Sequence, residues 1–524
     1  MKKLVGLAAL ALPAAILGSC TAGGDKPTAA AGQFCASPAA FPGGFNYPQS
    51  AQTVQGWVSQ RNIAAARQHG WNLFAGLQAD AGGGWTWRSW CTATQAFAGQ
   101  TPPSGAVGGE AEADVPSHGK LPMKMFKQAN GPTTGTDPIN FKIVPEYPIP
   151  DKVLANPAYK ECIQKPVAPS KLQTLAGGTQ FQNNGDVMLA GVIYNDAAYQ
   201  WIRNKNLYQT ATLQGLLPPA GQNRQMAEMP SGSIVLKPML WPVQKAGYTA
   251  LPVWDDRKDD FDRYSGFEIQ SQWPRAVAVT PQSTSQIATV DVTYLHGVTM
   301  TSGTIVNAPL GPNTYKQART IGIEQFYNFQ PDLASLDPCD RALLDASAYY
   351  AYGRMFQQGD YLALIAMHIM TKEQPDWTFQ SVWWSDRAGT GPYAADRPNI
   401  PAAKGPWRNY LMASTYGWRD QAQPANWPIA YNPYIELAAA HPIDTNCMNC
   451  HKRAAWPEGK NAGSYLRDGG PSALQAFRYQ DQPIFNGLIG VDSLWSIADR
   501  VPPTPSATPT SSPSAGTAPS PAQR

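Results

Sequence analysis

The sequence has little net charge and lacks the motifs that mark many enzymes. Its 40 Lys and Arg residues nearly balance 37 Asp and Glu residues, for a formal net charge of +3. No basic stripe or acidic block occurs, so we expect no nucleic-acid partner. The phosphate loop, the dinucleotide fingerprint, Gly-x-Ser-x-Gly and His-Glu-x-x-His are all absent. These absences exclude the best-marked nucleotide-dependent, serine-hydrolase and zinc-protease classes.

The sequence also lacks an apolar run long enough to cross a membrane. A spanning helix needs about 18 consecutive apolar residues. Residues 4–17 form a shorter run, which follows Lys2 and Lys3. A short apolar run behind a basic start is typical of an export signal. We therefore expect an exported chain whose mature body is soluble on a tether.

The end of that run resembles a bacterial lipobox. It reads Leu17-Gly18-Ser19-Cys20, and the resemblance implies that residues 1–19 are a signal peptide and that Cys20 carries lipid. Thr21 in place of Asp implies sorting to an outer membrane, facing the periplasm or the cell surface. Residues 20–36 are small and polar and predict a flexible tether. The alternative is an ordinary signal peptide followed by an unrelated cysteine.

Cysteine is scarce, and its positions suggest three roles. The seven cysteines are Cys20, Cys35, Cys91, Cys162, Cys339, Cys447 and Cys450. Lipid would use Cys20, and a haem motif would use Cys447 and Cys450. Four cysteines then remain, an even number that can form disulfides in an oxidising compartment. We favour the pairs Cys35–Cys91 and Cys162–Cys339, because each bridge then stays within one region. The other pairings, and buried thiols, remain open.

The chain predicts an α+β fold with a helical N-terminal layer, a β-rich middle and a mostly helical C-terminal haem region. The regions are a helical and loop segment at 37–140, a β-rich body at 141–419, a haem region at 420–501 and a disordered Pro/Ser/Thr tail at 502–524. Apolar spacing predicts helices at 51–78 and 340–357. Apolar or alternating runs predict strands at 187–194, 234–236, 276–280, 289–294, 361–370 and 377–384.

One motif carries specific chemistry. Residues 446–451 read Asn-Cys-Met-Asn-Cys-His, and Cys-x-x-Cys-His is the attachment signature of c-type haem. Two residues between Cys447 and Cys450 let both sulfurs reach the vinyl groups of one porphyrin edge, and His451 then turns onto the iron. A zinc site would need a second ligand pair, and a thioredoxin-like pair would need a βαβ setting. The sequence therefore predicts one covalent haem c.

The second iron ligand has no downstream source. No Met and no His follows His451, so a protein ligand must come from upstream, or the sixth position is open. We place His368 first, because it lies in a strand-like run where Met370 shares its face. A hydrogen-bonded sheet histidine and an acid–base catalyst are the alternative roles for His368. The other ligand candidates are Met370, Met412, His441 and Met448.

Three further residues are expected near the haem. Arg453 and Trp456 closely follow His451. We expect Arg453 to contact a propionate and Trp456 to pack against the porphyrin. Lys237, in an apolar strand, could pair with a propionate or an anionic substrate, or simply reach solvent.

Scattered blocks of the chain resemble exported bacterial single-haem cytochrome c-like lipoproteins with a late haem motif. The blocks are Trp71-Asn72-Leu73-Phe74-Ala75-Gly76-Leu77 with Trp85, Trp87 and Trp90; Ser233-Ile234-Val235-Leu236-Lys237-Pro238; Met367-His368-Ile369; Pro375-Asp376-Trp377-Thr378-Phe379; the haem motif; and Asp492-Ser493-Leu494-Trp495-Ser496. The resemblance implies a haem protein of unassigned substrate. Leu240-Trp241 departs from the pattern, in which an Arg follows the Trp.

The function we expect is one-electron transfer in the cell envelope. A peroxidase-like or oxygenase-like haem enzyme is the first alternative, favoured by the large body outside the haem region. A haem sensor or binding protein is the second alternative. The partner would be a redox protein or a small-molecule substrate, and whether the chain is an enzyme stays open.

Overall fold

A computed structural model gives the fold over most of the chain. It describes Cys35 and residues 38–82, 84–99, 151–159, 188–254, 275–282, 285–292, 296–301, 304–309, 315–336, 338–416, 430–434, 447–457 and 483–503.

Two helices open the described part of the chain, α1 (Ala51–Ser59) and α2 (Ile63–Leu77). Ser50 and Asn62 cap them, and each side chain accepts a backbone N–H of the first helical turn, which satisfies a donor that the helix leaves open. Arg61 adopts a φ of 55° between the two helices. The predicted helical segment at 51–78 is therefore confirmed, with a break before Ile63.

Seven further α-helices and seventeen strands lie in the described part of the chain. The helices are α3 (Ala93–Ala96), α4 (Asp151–Leu154), α5 (Asp196–Asn204), α6 (Thr210–Leu216), α7 (Pro338–Tyr352), α8 (Cys447–Lys452) and α9 (Trp495–Arg500). The strands are β1 (Cys91–Thr92), β2 (Leu189–Ala190), β3 (Ile193–Tyr194), β4 (Arg224–Gln225), β5 (Ile234–Val243), β6 (Thr249–Val253), β7 (Arg275–Thr280), β8 (Ile287–Asp291), β9 (His296–Thr301), β10 (Thr304–Pro309), β11 (Tyr315–Gly322), β12 (Asn328–Phe329), β13 (Tyr361–Thr371), β14 (Thr378–Trp384), β15 (Tyr410–Tyr416), β16 (Ala455–Trp456) and β17 (Ile489–Gly490).

The strands form one large sheet and three smaller units. The main sheet runs β1-β3-β5-β13-β14-β15, with β12 beside β13 and β2 beside β5. A second sheet runs β6-β7-β11-β8, β9 and β10 form a hairpin, and β16-β17-β4 form a small sheet. The α+β class and the β-rich middle are confirmed. In β8 burial alternates with exposure, as the polar–apolar alternation predicted.

The expectation of a mostly helical C-terminal region is wrong. Among the described residues between 420 and 501, α8 and α9 each span only 6 residues, and β16 and β17 pair with each other. β17 also pairs with β4 from the middle of the chain. Apolar segments this short gain little from helix propagation, so pairing with a distant strand decides their conformation.

The two faces of the main sheet are covered by different parts of the chain. Directly paired residues of antiparallel strands share a face, and faces alternate along a strand. The helix face, which carries Gln380, Met412 and Tyr416, packs against α2. Gly70 permits this approach, because a Cβ there would lie 2.9 Å from both Gln380 Cγ and Met412 Sδ.

The opposite face, called the motif face, carries Phe379 and Ser381 of β14. The ring of Phe379 lies 5.6 Å from the ring of His451. Asn432 Nδ2 donates to Ser381 Oγ at 2.9 Å. The C-terminal segment that holds the haem motif therefore covers this side of the sheet.

A buried carboxylate anchors the start of β13. Asp360 accepts two hydrogen bonds from Arg354, at 2.6 and 2.9 Å, and one from each backbone N–H of Lys245 and Gln357. Burial alone would raise the pKa of Asp360. The hydrogen bonds from Arg354 and the backbone outweigh it and lower the pKa below the ordinary value of 3.8.

We predict that Asp360→Asn lowers the free energy of unfolding by about 3 kcal/mol at pH 7, because one partner of a buried pair is removed. A lowered pKa contributes stability above the ordinary value, and this stability is lost as pH falls through the folded value. The difference in the free energy of unfolding between wild type and variant should therefore decrease below pH 3.8. Urea unfolding at a series of pH values measures this difference. A difference that does not depend on pH would contradict the lowered pKa of Asp360.

Candidate haem site

Helix α8 presents the motif residues on one side. Cys450 lies three residues after Cys447, and His451 lies four after it, so the helical repeat places all three positions on one face. The Cys447 side chain is buried, and its backbone N–H donates to the Ala430 carbonyl at 2.9 Å. The side chain of Cys450 lies outside the described part of the structure.

The hydrogen bond of His451 fixes its tautomer. Nδ1 lies 2.7 Å from the carbonyl oxygen of Ser493. A carbonyl can only accept, so the proton resides on Nδ1, and this is the tautomer in which Nε2 carries the lone pair. Metal-bound histidines commonly donate their second ring N–H to a backbone carbonyl in this way. The geometry of His451 therefore fits an axial haem ligand.

The Ser493 carbonyl is aimed by an unusual turn. Asp492 and Ser493 have φ values of 46° and 66°. This left-handed conformation costs roughly 1–3 kcal/mol for each residue that is not glycine. Such a turn persists only where its surroundings hold it. The carboxylate of Asp492 accepts from Met229 N at 2.7 Å, Lys372 Nζ at 2.8 Å and Trp377 Nε1 at 3.3 Å.

The pair of Asp492 and Lys372 is almost fully buried, with side chains 5% and 3% exposed. Burial raises the pKa of the Asp492 carboxyl above its ordinary value, while Lys372 and the other donors oppose that rise. A buried charge of this kind is tolerated only when it is paired and hydrogen-bonded. The ion pair therefore ties the turn that carries Ser493 to the end of β13.

The motif face brings His368 towards His451. Phe379, which contacts His451, pairs with Met370 on β13. His368 lies two residues from Met370 on the same face, so it is a diagonal neighbour of Phe379, at about 7–8 Å. Lys237 of β5 and His368 of β13 form a cross-strand pair. Both side chains are half-buried, whereas their neighbours along the two strands are buried.

Strand register sorts the other ligand candidates. Met412 pairs with Val382 and lies on the helix face beside Gly70, which is the wrong side of the sheet for His451. Met370 shares the motif face with His368, as predicted. Met448 is buried within α8, and His441 lies outside the described residues. His368 and Met370 remain as the two candidates that the motif face presents.

The residues after the motif are buried. Arg453 and Trp456 are 1% and 0% exposed, and Trp456 Nε1 donates to the Val501 carbonyl at 2.5 Å. Their burial places both side chains in the core next to α8. Their roles towards a propionate and a porphyrin stay predictions.

Of the predicted disulfides, Cys35–Cys91 is confirmed, with the two Cα atoms 5.4 Å apart. Cys20 and Cys162 lie outside the described residues. The backbone of Cys339 belongs to α7, but its side chain is not among the described ones, so the second bridge stays a prediction.

Sequence reasoning missed a buried cluster on the helix face. His69 Nε2 lies 3.0 Å from Glu373 Oε1, and His69 Nδ1 lies 2.8 Å from the hydroxyl of Tyr416, which donates to Ala66 O. Burial raises the pKa of Tyr416 well above its ordinary value, and so does Glu373. Lys372-Glu373 precedes a Gln374-Pro375 turn, so the pattern is indistinguishable from a solvated turn.

Comparison with known proteins adds no relative: no protein-family model, curated protein or solved structure matches the chain. Within the described residues, no group of three or more His, Cys, Asp or Glu side chains is placed to hold a metal ion.

We predict that Glu373→Gln lowers the free energy of unfolding by about 3–5 kcal/mol, because it removes one partner of a buried pair. Urea unfolding measures the loss. The matched control is Glu324→Gln at an exposed glutamate, where a change within about 0.5 kcal/mol is expected. Equal losses in the two variants would contradict the buried pairing of Glu373 and His69.

Proposed function

We propose that this chain is a c-type haem protein that transfers single electrons in the bacterial cell envelope. The haem would be held by the thiols of Cys447 and Cys450, with His451 Nε2 on the iron. The observation that carries the proposal is the 2.7 Å hydrogen bond from His451 Nδ1 to the Ser493 carbonyl. It gives the histidine of a Cys-x-x-Cys-His motif the tautomer that a metal ligand requires.

A bound haem supplies one-electron redox chemistry. The residues of the chain bind and enclose it. Phe379 packs against the ring of His451 and limits its rotation. The proposed roles of Arg453 and Trp456 are to neutralise a propionate and to pack against the porphyrin.

For the sixth position we propose His368. It is half-buried, lies on the motif face and is a diagonal neighbour of Phe379. Two protein ligands on the iron would leave no position for an exogenous molecule, which suits an electron carrier. Met370 is the competing ligand, because it faces the same side and pairs directly with Phe379.

A haem enzyme is the second candidate. It is favoured because Lys237 and His368 are partly exposed to solvent, whereas their neighbours along the strands are buried. These two residues are paired across β5 and β13 and both are half-buried. In an enzyme with an open sixth position, Lys237 would hold an anionic substrate and His368 would move a proton. The two candidates therefore differ in what His368 does.

The proposed location is the outer membrane, by lipid on Cys20 after removal of residues 1–19. The Cys35–Cys91 bridge supports an oxidising compartment. No helix in the described ranges has the length and apolarity to cross a membrane.

The full chain, produced with its own leader in a bacterium that attaches c-type haem, should retain haem after denaturing electrophoresis. Cys447→Ala combined with Cys450→Ala should lose the haem stain, because no thioether can form. Cys91→Ala is the matched control, since it removes a thiol from the Cys35–Cys91 bridge and should keep the stain. A wild-type chain without covalent haem would exclude the proposal.

The spectrum of the reduced protein with and without carbon monoxide decides between the two functions. We expect no shift in wild type and a clear shift in His368→Ala, because that change opens the sixth position. Met370→Leu is the control and should behave as wild type. A shift in Met370→Leu alone would assign the ligand to Met370, and a shift in wild type would favour the enzyme.

A further inference from the structure

The turn that orients His451 is held by Lys372 and Trp377, which lie more than 100 residues away in the sequence but contact it directly. Ser493 supplies the carbonyl that accepts from His451 Nδ1, and its neighbour Asp492 is fixed by Lys372 Nζ and Trp377 Nε1. Lys372 and Trp377 both belong to the turn between β13 and β14. The position of the carbonyl therefore depends on where the carboxylate of Asp492 is held.

Resting on the proposed haem function, we propose that Asp492 is a positioning residue for His451. Held by Lys372, it keeps the Ser493 carbonyl on Nδ1 and so sets the donor strength of the imidazole towards iron. A hydrogen bond from Nδ1–H to a carbonyl increases the basicity of the opposite nitrogen. A more basic axial ligand favours the oxidised haem, so loss of this hydrogen bond raises the reduction potential.

Backbone hydrogen bonds from Val491 N to the Ala454 carbonyl and from Leu494 N to the Val491 carbonyl flank the turn, and it is tied to the turn between β13 and β14 by the carboxylate of Asp492. Its oxygens accept from Met229 N, Lys372 Nζ and Trp377 Nε1. Lys372 also donates to the Pro375 carbonyl at 2.5 Å and lies 5.1 Å from the centre of the Trp377 ring. These bonds hold Lys372 at the carboxylate rather than in solvent.

The backbone of the turn that carries Ser493 needs this support. Asp492 and Ser493 have left-handed φ values of 46° and 66°, and Trp377, which donates to Asp492, has a φ of 59°. None of the three is glycine. A residue held in such a conformation relaxes when its contacts are removed. In Asp492→Asn an amide group replaces one acceptor oxygen and faces a donor, so the turn loses both an ion pair and a hydrogen bond.

The test is the midpoint potential of the purified holoprotein in Asp492→Asn and Lys372→Met. Charge alone predicts opposite shifts: removing a negative charge raises the potential, and removing a positive charge lowers it. Positioning predicts that both variants shift the potential upwards, because both release the same carbonyl. The double variant should shift no further than the larger single one, since the two residues act as a unit.

Controls separate positioning from general loosening of the fold. Asp360→Asn breaks an ion pair whose carboxylate is fully buried, at the other end of β13, and should lower stability while leaving the potential at the wild-type value. Lys372→Arg keeps the charge and should retain most of the wild-type potential. If Asp492→Asn does not fold, Lys372→Met against Lys372→Arg makes the same comparison.

Opposite shifts in Asp492→Asn and Lys372→Met, or an equal shift in Asp360→Asn, would overturn the positioning role and leave the haem function standing. A wild-type chain without covalent haem overturns the proposed function itself, and the positioning role with it. The two failures are therefore distinguished by the haem stain of the wild-type protein.

Discussion

The turn between β13 and β14 places two adjacent opposite charges in the protein interior, one on each side of the main sheet. Lys372 pairs with Asp492 of the C-terminal segment, and Glu373 pairs with His69 of α2. A buried charge without its partner is strongly unfavourable. The end of the main sheet is therefore stable only when the N-terminal helices and the C-terminal segment are both docked, and the haem motif arrives with the latter.

The parts of the fold that sequence could predict are those decided locally. Strand β13 is a long and mostly apolar run. Ser50 and Asn62 are residue types that favour the N-cap position, and they cap α1 and α2. The turn from Lys372 to Trp377 could not be read in this way. Its partners lie 120 residues away for Asp492 and 304 for His69, and a charged turn normally faces water.

The candidate site divides in the same manner. The spacing of Cys447, Cys450 and His451 is a local signal, and period-2 alternation correctly put His368 and Met370 on one face. Alternation does not reveal which face the motif covers. That required the register between β14 and β15, which puts Met412 beside Gly70 on the other side. The wrong expectation for the C-terminal region has a related cause, because β17 takes its conformation from β4.

The carbonyl of Ser493 has a consequence for how the protein is made. It lies 42 residues after His451, so in the proposed exported protein the Cys-x-x-Cys-His segment would cross the membrane before the residue that orients the imidazole. In a haem-carrying chain, coordination alone would have to hold the cofactor on an incomplete site during that interval. The two thioether bonds of the proposed haem would remove this dependence on timing, because they would retain the cofactor while the last part of the polypeptide was still being delivered.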